Sequence, residues 1–273
     1  MKRMIRSFTL FGAFALLLSA CKKEARGVAS EEEVSPTVVA QIKNMGFRTD
    51  GIMKVEEGYL VEGDIVLTNE DLAGLPTSKE IVYANEEHYR TTNLVNASRY
   101  ATITVALSNS SAQHEAAFSA ALNEAIRRYN AEGLTIRFQR VSSRANITVN
   151  SYYQVSNVLG SAGFPGKNGS PYKQVKMNTY WYGIATTTTN VNYIATIMAH
   201  EIGHCIGFRH TDYMNRAYSC GGSTQNEGSA GIGAIHIQGT PTGPSAGSWM
   251  LACSDGRDQP FTSADRTALQ NVY

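Results

Sequence analysis

A short run of metal-binding side chains is the most informative feature of the sequence. His200 and His204 are four residues apart, so on a helix they project from the same face, about one turn from each other. Glu201 lies at the edge of that face, where its carboxylate can reach a water on a bound metal ion. Gly207 can adopt the positive φ that ends a helix, and the resulting turn lets His210 return toward the same point.

Three neutral imidazoles around one cation leave a fourth position open, which is typical of a catalytic zinc site rather than a structural one. Zinc lowers the pKa of a bound water to about 7. The sequence therefore predicts His200, His204 and His210 as ligands of one Zn²⁺. Glu201 is predicted as the general base, which takes a proton from that water and hands it to the leaving amine. His-Glu-x-x-His alone can arise by chance, but the added glycine and third histidine, in a chain with 6 histidines, argue against coincidence.

The helix that must carry the first two histidines is predicted over 191–206, with Asn190 or Asn192 as its N-cap. Its apolar face would bury the metal site and consists of Ile194, Ile197, Met198, Ile202 and Ile206. Upstream, the hydrophobic pattern predicts one amphipathic helix and several strands. The helix is expected at 114–129, the strands at 100–107, 134–141, 145–149 and 172–182, a continuation of the sheet at 152–159, and a loop at 160–171.

The order of these elements, strands first and then the metal-binding helix, predicts an α+β fold with a mostly sheet N-terminal half and a looser C-terminal half. Residues 219–248 contain 8 of the 24 glycines, so we expect a long folded loop there. Thr262 and Asp265 have the spacing of a capping box that opens a closing helix through Val272.

The pattern HExxHxxGxxH resembles the signature of the metzincin clan of zinc metalloproteases, and HEIGHCIGFRHTDY at 200–213 resembles the bacterial dual-action HEIGH metallopeptidases. The resemblance extends over about 86–273. It implies a two-lobed zinc protease domain with a mixed twisted sheet, a backing helix, the active-site helix and an irregular C-terminal lobe that ends in a helix. It also implies a Met-turn at Met250, a hydrophobic floor under the ligand imidazoles; the alternative is an ordinary core methionine.

The resemblance implies further roles and also has one departure. Some metzincins carry a tyrosine two residues after that methionine, which assists oxyanion stabilisation; here the position is Ala252, and Tyr213 or another tyrosine would have to substitute. Leu159–Ala162 would be the edge strand that pairs with an extended substrate, and the alternative is a Gly-rich loop. Asp212 would either orient a ligand histidine or anchor the turn after His210.

Residues 1–20 have the arrangement of a signal peptide. A basic start is followed by an apolar run from Phe8 to Ala20, which at about 13 residues is shorter than the roughly 20 that a membrane span needs. Leu18-Ser19-Ala20-Cys21 resembles a bacterial lipobox, in which Cys21 is lipidated; the alternative is a plain secreted protein with an incidental cysteine. We therefore expect an exported bacterial lipoprotein at a periplasmic or cell-surface face, held to the membrane by its lipid anchor only.

The rest of the chain divides into a tether at 21–36, an N-terminal segment at 37–85 and a catalytic domain at 86–273. In the N-terminal segment we expect a helix at 37–47, one or two short strands within 58–67 and a short helix that begins near Thr68.

The N-terminal segment is interpreted either as a structural subdomain or as an inhibitory prosegment. No cysteine lies between Cys21 and Cys205, so a thiolate from this segment is not available to the zinc. Asp50, Asp64 or Asp71 would have to serve instead.

Three cysteines remain once Cys21 is lipidated, and export favours pairing. Cys205 lies on the active-site helix, whereas Cys220 and Cys253 flank the Gly-rich stretch. A Cys220–Cys253 disulfide is the favoured pair, and its loop of about 33 residues corresponds to roughly 3–4 kcal/mol in the chain-entropy model.

Charge and composition exclude other classes of function. The chain has 24 basic and 23 acidic residues, and three of the basic ones lie in 1–20, which leaves 21 against 23. This balance excludes electrostatically driven nucleic-acid binding, and 42% hydrophobic with 17% charged residues excludes general disorder. The prediction is a monomeric zinc endopeptidase that hydrolyses proteins or peptides bound in extended form; a structural calcium ion stays undetermined. The alternative is a catalytically weak zinc-binding lipoprotein that binds peptides or a protein partner, against which the retained Glu201 argues.

Overall fold

The computed structural model describes residues 34–73, 88–108, 110–224, 226–227, 233–241 and 243–273. The expected signal peptide at 1–20 and the expected lipidation site Cys21 lie outside the described residues. Among the helices of the described ranges, none is both long enough and apolar enough to cross a bilayer.

A mixed eight-stranded sheet forms the main layer. Its strands are β1 Met53–Val55, β2 Gly58–Val61, β3 Ile65–Thr68, β5 Thr102–Ser108, β6 Arg137–Arg140, β7 Ile147–Tyr152, β8 Gly160–Ala162 and β9 Gln174–Asn178. Their spatial order is β1-β2-β3-β8-β9-β7-β5-β6. Strands β5, β6, β7 and β9 are mutually parallel, and β8 runs antiparallel to β9. Two short strands, β4 Tyr89–Arg90 and β10 Ile235–His236, form a separate antiparallel pair.

The helices in the described ranges are α1 Pro36–Asn44, α2 Asn69–Ala73, α3 Glu115–Asn130, α4 Thr188–Ile206, α5 Ala217–Cys220 and α6 Ser263–Val272, with a 3₁₀ turn at Thr179–Trp181. Their combination with a mixed sheet confirms the predicted α+β class. Residues 153–159, which were expected to continue the sheet, contain no strand, and part of the expected loop at 160–171 is strand β8 instead.

Helices α3 and α4 share the main apolar core with the sheet. Phe118 of α3, Ile202 of α4 and Val149 of β7 are all fully buried in this core. The phenol of Tyr129 on α3 donates a hydrogen bond of 2.7 Å to the carbonyl of Ala199 on α4. Because burial of each large apolar side chain stabilises the fold by about 1.5–3 kcal/mol, this core fixes α4 against the sheet.

Helix α4 begins three residues earlier than expected, and its N-cap is Thr187 rather than Asn190 or Asn192. The Thr187 hydroxyl accepts from the backbone N–H of Asn190. The Asn190 side chain is engaged elsewhere, since its amide donates to the carbonyls of Gly183 and Ala185 at 3.0 and 2.6 Å. A threonine in extended conformation satisfies the same free N–H groups that either asparagine was expected to cap.

Helix α4 ends at Gly207, which adopts φ 108° and ψ 10°. Its N–H bonds to the carbonyls of Gly203 and His204, so the last helical carbonyls are satisfied as the chain turns. A Cβ at this position would lie 2.8 Å from Leu94 Cδ2 and 3.1 Å from the carbonyl oxygen of Asn93. Both the backbone conformation and the close packing therefore require glycine here.

The N-terminal segment adds β1, β2 and β3 to the sheet. Strands β2 and β3 confirm the expectation of one or two strands within 58–67, whereas β1 was not predicted. These strands and helices α1 and α2 enclose a small core of their own. Its buried residues are Ile42, Met45, Phe47, Val61, Ile65, Leu67 and Leu72, together with Phe164 from the loop after β8. The segment joins the rest of the sheet where β3 pairs with β8, Ile65 opposite Ala162.

Helix α6 begins with the capping box that the sequence indicates, in which Thr262 and Asp265 exchange side-chain and backbone hydrogen bonds. Asp265 is fully buried and also accepts from the Ser248 hydroxyl at 2.6 Å and contacts His88 Nε2 at 2.5 Å. This carboxylate therefore attaches the closing helix to the turn at 248–250.

A disulfide joins Cys220 at the end of α5 to Cys253, and Cys205 is a buried free cysteine. The bridge closes the Gly-rich region, which carries little regular secondary structure in its described part. Loop closure of this length restricts the unfolded chain more than the folded one, which stabilises the fold in the chain-entropy model.

The requirement for glycine at the end of α4 can be measured. Gly207→Ala is expected to lower the free energy of unfolding by about 2–3 kcal/mol, since left-handed strain and the clash with Leu94 add together. Gly51→Ala is the matched control, because Gly51 also has a positive φ but has nothing within 4 Å of a Cβ. Its expected loss is about 1 kcal/mol, from backbone strain alone. Equal losses in urea unfolding of the two variants would contradict the packing argument.

Candidate active site

The three predicted ligand histidines lie together in the interior. His200 and His204 project from α4, and the turn after Gly207 returns His210 to the same point. The Nε2 atoms of His204 and His210 are 3.2 Å apart, and the three ring centroids are 4.7–5.3 Å from one another. The spacing in the sequence thus produces the convergence of imidazoles that was expected from it.

Each of the three rings is oriented by a hydrogen bond from its other nitrogen. Nδ1 of His200 donates to the carbonyl of Trp249 at 2.8 Å, and Nδ1 of His204 donates to the carbonyl of Phe208 at 2.8 Å. Because a carbonyl oxygen only accepts, both Nδ1 atoms carry the proton and both Nε2 lone pairs face the centre. Burial lowers the pKa of His204 well below its ordinary value, which keeps the ring in the neutral form that binds metals.

The third ring is oriented by Glu227, a residue that the sequence analysis did not identify. His210 Nδ1 lies 2.7 Å from Glu227 Oε1, and the same oxygen accepts from Arg216 Nη1 at 2.6 Å. Burial alone would raise the pKa of Glu227, but the charges of His210, Arg216 and Arg209 outweigh it and hold the pKa well below its usual range. The ionised carboxylate makes Nδ1 the donor. Glu227 lies 17 residues from His210 in an irregular stretch, so no periodicity indicates it.

This donor set fits a zinc ion. The Nε2 atoms of His200, His204 and His210, with one carboxylate oxygen of Asp64, all lie within 4.8 Å of one another. Three imidazoles whose Nδ1 atoms bond to the surrounding protein and whose Nε2 atoms face one another are the ligand arrangement that zinc prefers. Among the three acids considered for the N-terminal segment, Asp64 is the one at the histidines. Asp50 is exposed beside Arg48, and Asp71 accepts from the N–H of Thr68 at the start of α2.

Glu201 is buried next to this cluster with one carboxylate oxygen, Oε2, that lacks a protein hydrogen-bond partner. The start of β8 borders it, since a Cβ on Gly160 would lie 2.7 Å from Glu201 Oε1. Burial raises the pKa of Glu201 well above its ordinary value, and the negative charge of Asp64 raises it further. A buried carboxylate with an unsatisfied oxygen beside the histidines is positioned to accept a proton and release it again.

Met250 packs against α4 between its two histidines. A Cβ on Gly203 would lie 2.6 Å from Met250 Sδ and 3.1 Å from Trp249 Nε1, so a glycine is needed on the helix to admit these side chains. The carbonyl of Met250 accepts from the N–H of Thr211, directly after the third histidine. The turn at 248–250 therefore contacts both chain segments that carry the histidines.

Asp212 and Tyr213, for which the sequence suggested roles at the site, make contacts that stabilise the fold. Asp212 accepts from the N–H of Ala252 at 2.9 Å and from the Ser219 hydroxyl at 2.6 Å, which is the anchoring one of its two expected roles. Tyr213 is buried with its ring edge against Tyr89, 4.4 Å between centroids. It is therefore committed to packing, and the oxyanion role that Tyr213 was expected to take over has no support from its position.

Residues 159–162 depart from expectation in one respect. Gly160–Ala162 is a strand, as the family resemblance implied, but it is not at the edge of the sheet. It pairs antiparallel with β9 on one side and parallel with β3 on the other. Sequence alone missed this because the strand that covers the edge lies in the N-terminal segment, about a hundred residues away.

Three imidazoles that converge beside a buried glutamate are the side chains of a zinc metallopeptidase site. The sequence matches the family described as dual-action HEIGH metallo-peptidase over residues 59–273, and the chain belongs to this family. It is therefore a zinc metallopeptidase, a hydrolase that acts on proteins or peptides. A comparison with solved structures finds "Structure of myroilysin", 16% identical, with a TM-score of 0.40, covering 67% of this chain and 95% of that chain. A search of curated proteins gives no significant match.

The contact between Glu227 and His210 leads to a prediction about metal affinity. Glu227→Gln is expected to weaken zinc binding by about 10- to 100-fold, because loss of the charged acceptor makes His210 a poorer, less well oriented ligand. Competition with a zinc-sensitive chelating dye measures the dissociation constant. Glu124→Gln on α3 is the matched control, since Glu124 pairs with Arg127 and Arg128 away from the site.

The measurement needs a check on folding, because Glu227→Gln leaves buried arginine charge without its partner and lowers stability. Both variants are compared at a temperature where circular dichroism shows each to be folded. A folded Glu227→Gln protein with the zinc affinity of the Glu124→Gln control would refute the orienting role.

Proposed function

We propose that the protein is a zinc endopeptidase in which His200, His204 and His210 hold the catalytic ion and Glu201 is the general base. The observation that carries the proposal is the buried convergence of three inward-facing Nε2 atoms next to a carboxylate with an unsatisfied oxygen. Met250 would act as the Met-turn floor, because its contact with Gly203 limits how far the two helical histidines can shift.

When bound, zinc supplies a Lewis acid that polarises the scissile carbonyl and lowers the pKa of a water to about 7. The protein supplies the proton transfers. Glu201 accepts a proton from the attacking water and delivers it to the nitrogen of the leaving amine, so one carboxylate serves both steps. The raised pKa of Glu201 supports this role, because the carboxyl group must hold the proton between the two steps.

The substrate would be a protein or peptide bound as an extended chain along β8. Gly160 lies against Glu201, so a chain that pairs with this strand has its backbone beside the catalytic carboxylate. Backbone hydrogen bonds of this kind give affinity that is largely independent of side chains, and neighbouring pockets give specificity.

We further propose that residues 1–20 are a signal peptide, that Cys21 is lipidated and that the monomeric enzyme is anchored to a bacterial membrane outside the cytoplasm. The order of basic residues, apolar run and Leu18-Ser19-Ala20-Cys21 supports export with lipidation. The Cys220–Cys253 disulfide supports an oxidising location, because such bonds rarely persist in the cytosol.

Glu201→Gln tests the mechanism. The variant is expected to retain about one zinc per chain and to lose at least roughly 100-fold in peptidase rate, because the amide cannot accept the proton. Because Asp64 lies against two of the histidines, each enzyme is assayed with native Asp64 and with Asp64→Ala. The readout is cleavage-site profiling on denatured protein, with Glu124→Gln as the control. Undiminished cleavage by Glu201→Gln would refute the mechanism.

Cys21→Ala tests the anchor. In a bacterial host, the native chain is expected to begin at a lipidated Cys21 and to sediment with membranes, because acyl chains contribute about 0.8 kcal/mol per buried methylene. The variant is expected to lack the lipid mass and to leave the membrane fraction. Mass spectrometry of the mature N-terminus and membrane fractionation give the two readouts. A native protein with an unmodified N-terminus would rule out the lipoprotein.

A further inference from the structure

The turn between β2 and β3 reaches the histidine cluster. It consists of Glu62, Gly63 and Asp64, and Val61 pairs with Ile65 across it. Oδ2 of Asp64 lies 3.0 Å from His210 Nε2 and 3.6 Å from His200 Nε2. This oxygen is within hydrogen-bond distance of His210 Nε2, and Asp64 forms with the three imidazoles a group of four side chains that could hold one metal ion. A tetrahedral zinc site takes four ligands, so Asp64 is placed to be the fourth.

Asp64 also contacts β8, the strand along which we propose that the substrate binds. The carbonyl of Asp64 accepts a hydrogen bond of 2.9 Å from the N–H of Ala162 on β8. The next residue, Ile65, is the partner of Ala162 in the parallel pairing of β3 with β8. An extended substrate that pairs with β8 would need the edge that β3 occupies, since a strand has only two edges and β9 holds the other.

From these two contacts we infer that the N-terminal segment is an intramolecular inhibitor, in which Asp64 occupies the fourth position on the zinc and β3 occupies the substrate edge of β8. The inference rests on the proposed function. Hydrolysis requires a position on the ion for the water and the scissile carbonyl, and the full chain denies both that position and the binding strand. The chain is therefore latent until the segment is displaced.

Both apolar and charged side chains hold the segment in place. Phe164, in the loop after β8, completes the small core of the N-terminal segment. Two further contacts join the N-terminal segment to the rest of the protein. Lys176 on β9 forms an ion pair of 2.8 Å with Glu57. The Arg209 guanidinium lies 5.0 Å from the ring centroid of Phe47. Since burial of the apolar core outweighs a partly exposed ion pair, replacing Asp64 alone should free the metal while β3 stays paired.

A different role for Asp64 gives the opposite outcome. The residue lies within 59–273, the part of the chain that matches the family. If Asp64 were instead a permanent ligand of the working enzyme, its loss would weaken zinc binding, lower the rate of hydrolysis and leave the ion no more accessible to outside ligands. The two roles thus predict opposite changes in the rate of hydrolysis when Asp64 is replaced.

The first experiment measures access to the metal without turnover. Full-length protein is loaded with Co²⁺, and acetohydroxamate, a small metal-binding probe, is titrated while the visible absorption is recorded. Asp64→Ala is expected to bind the probe at least about 10-fold more tightly than the native chain, because no protein carboxylate competes for the fourth position. Asp50→Ala, an exposed aspartate of the same segment, is the matched control and should bind like the native chain.

Asp64→Asn is a second variant in case the alanine chain folds poorly. It keeps the shape of the side chain and removes its charge, so an intermediate gain in probe affinity is expected. Thermal unfolding monitors the fold of each variant. Unchanged probe affinity in both folded Asp64 variants, or a loss of cobalt from them, would overturn the inference.

The second experiment measures turnover and separates the inference from the proposed function. With zinc, Asp64→Ala is expected to hydrolyse very short peptides, which can reach the ion without pairing along β8, at least about 10-fold faster than the native chain. Adding Glu201→Gln should abolish that gain. If the probe binds more tightly to Asp64→Ala but no peptide is cleaved, the inference that Asp64 blocks the metal is supported and the peptidase proposal fails. If peptides are cleaved equally with and without Asp64, the inhibitor fails and the peptidase stands.

Discussion

The outward hydrogen bonds of three imidazoles are the constraint on which the rest of this structure depends. An imidazole has two ring nitrogens, so fixing Nδ1 as a donor to the surrounding protein leaves Nε2 as an inward lone pair. The acceptors are the carbonyls of Phe208 and Trp249 and the carboxylate of Glu227, which come from three separate stretches of chain. The metal site therefore forms only when the irregular C-terminal region is folded against α4. The disulfide encloses two of the three acceptors, because both Trp249 and Glu227 lie between Cys220 and Cys253, and Asp265 attaches the turn that carries Trp249 to the closing helix.

The sheet borders this site along β8, where an extended substrate and strand β3 would need the same edge. A strand of three residues, Gly160–Ala162, lies against Glu201 and offers one edge for pairing. In the full chain that edge is taken by β3, and the turn before β3 carries a carboxylate to the histidines. The N-terminal segment is small, and a core of this size is marginal by itself. Its attachment to the sheet explains both how it is stabilised and why it lies across the active-site strand.

Most of the regular elements could be predicted because they depend on local patterns. The amphipathic period of α3, the capping box of α6 and the helix through His200 and His204 follow from side chains within a few turns of one another. The predicted N-cap of α4 was wrong because several nearby residues can cap a helix, and Thr187 rather than an asparagine does so. Errors also occurred where pairing partners are distant: nothing near residue 160 indicates whether β8 is an edge strand or an interior one.

The sequence by itself determined the chemistry of the metal site. The two histidines one turn apart, the glutamate beside them and Gly207 with its left-handed backbone are sufficient to bring His210 back, because each step is set by backbone geometry within eleven residues. Only the tertiary structure decided which acids approach that site. Glu227 orients His210 across an irregular stretch, Asp212 anchors a turn instead, and Asp64 arrives from 146 residues upstream through the register of β3 against β8. Strand register is a collective property of packed partners, so the position of Asp64 is decided by the folded sheet and not by the residues around it.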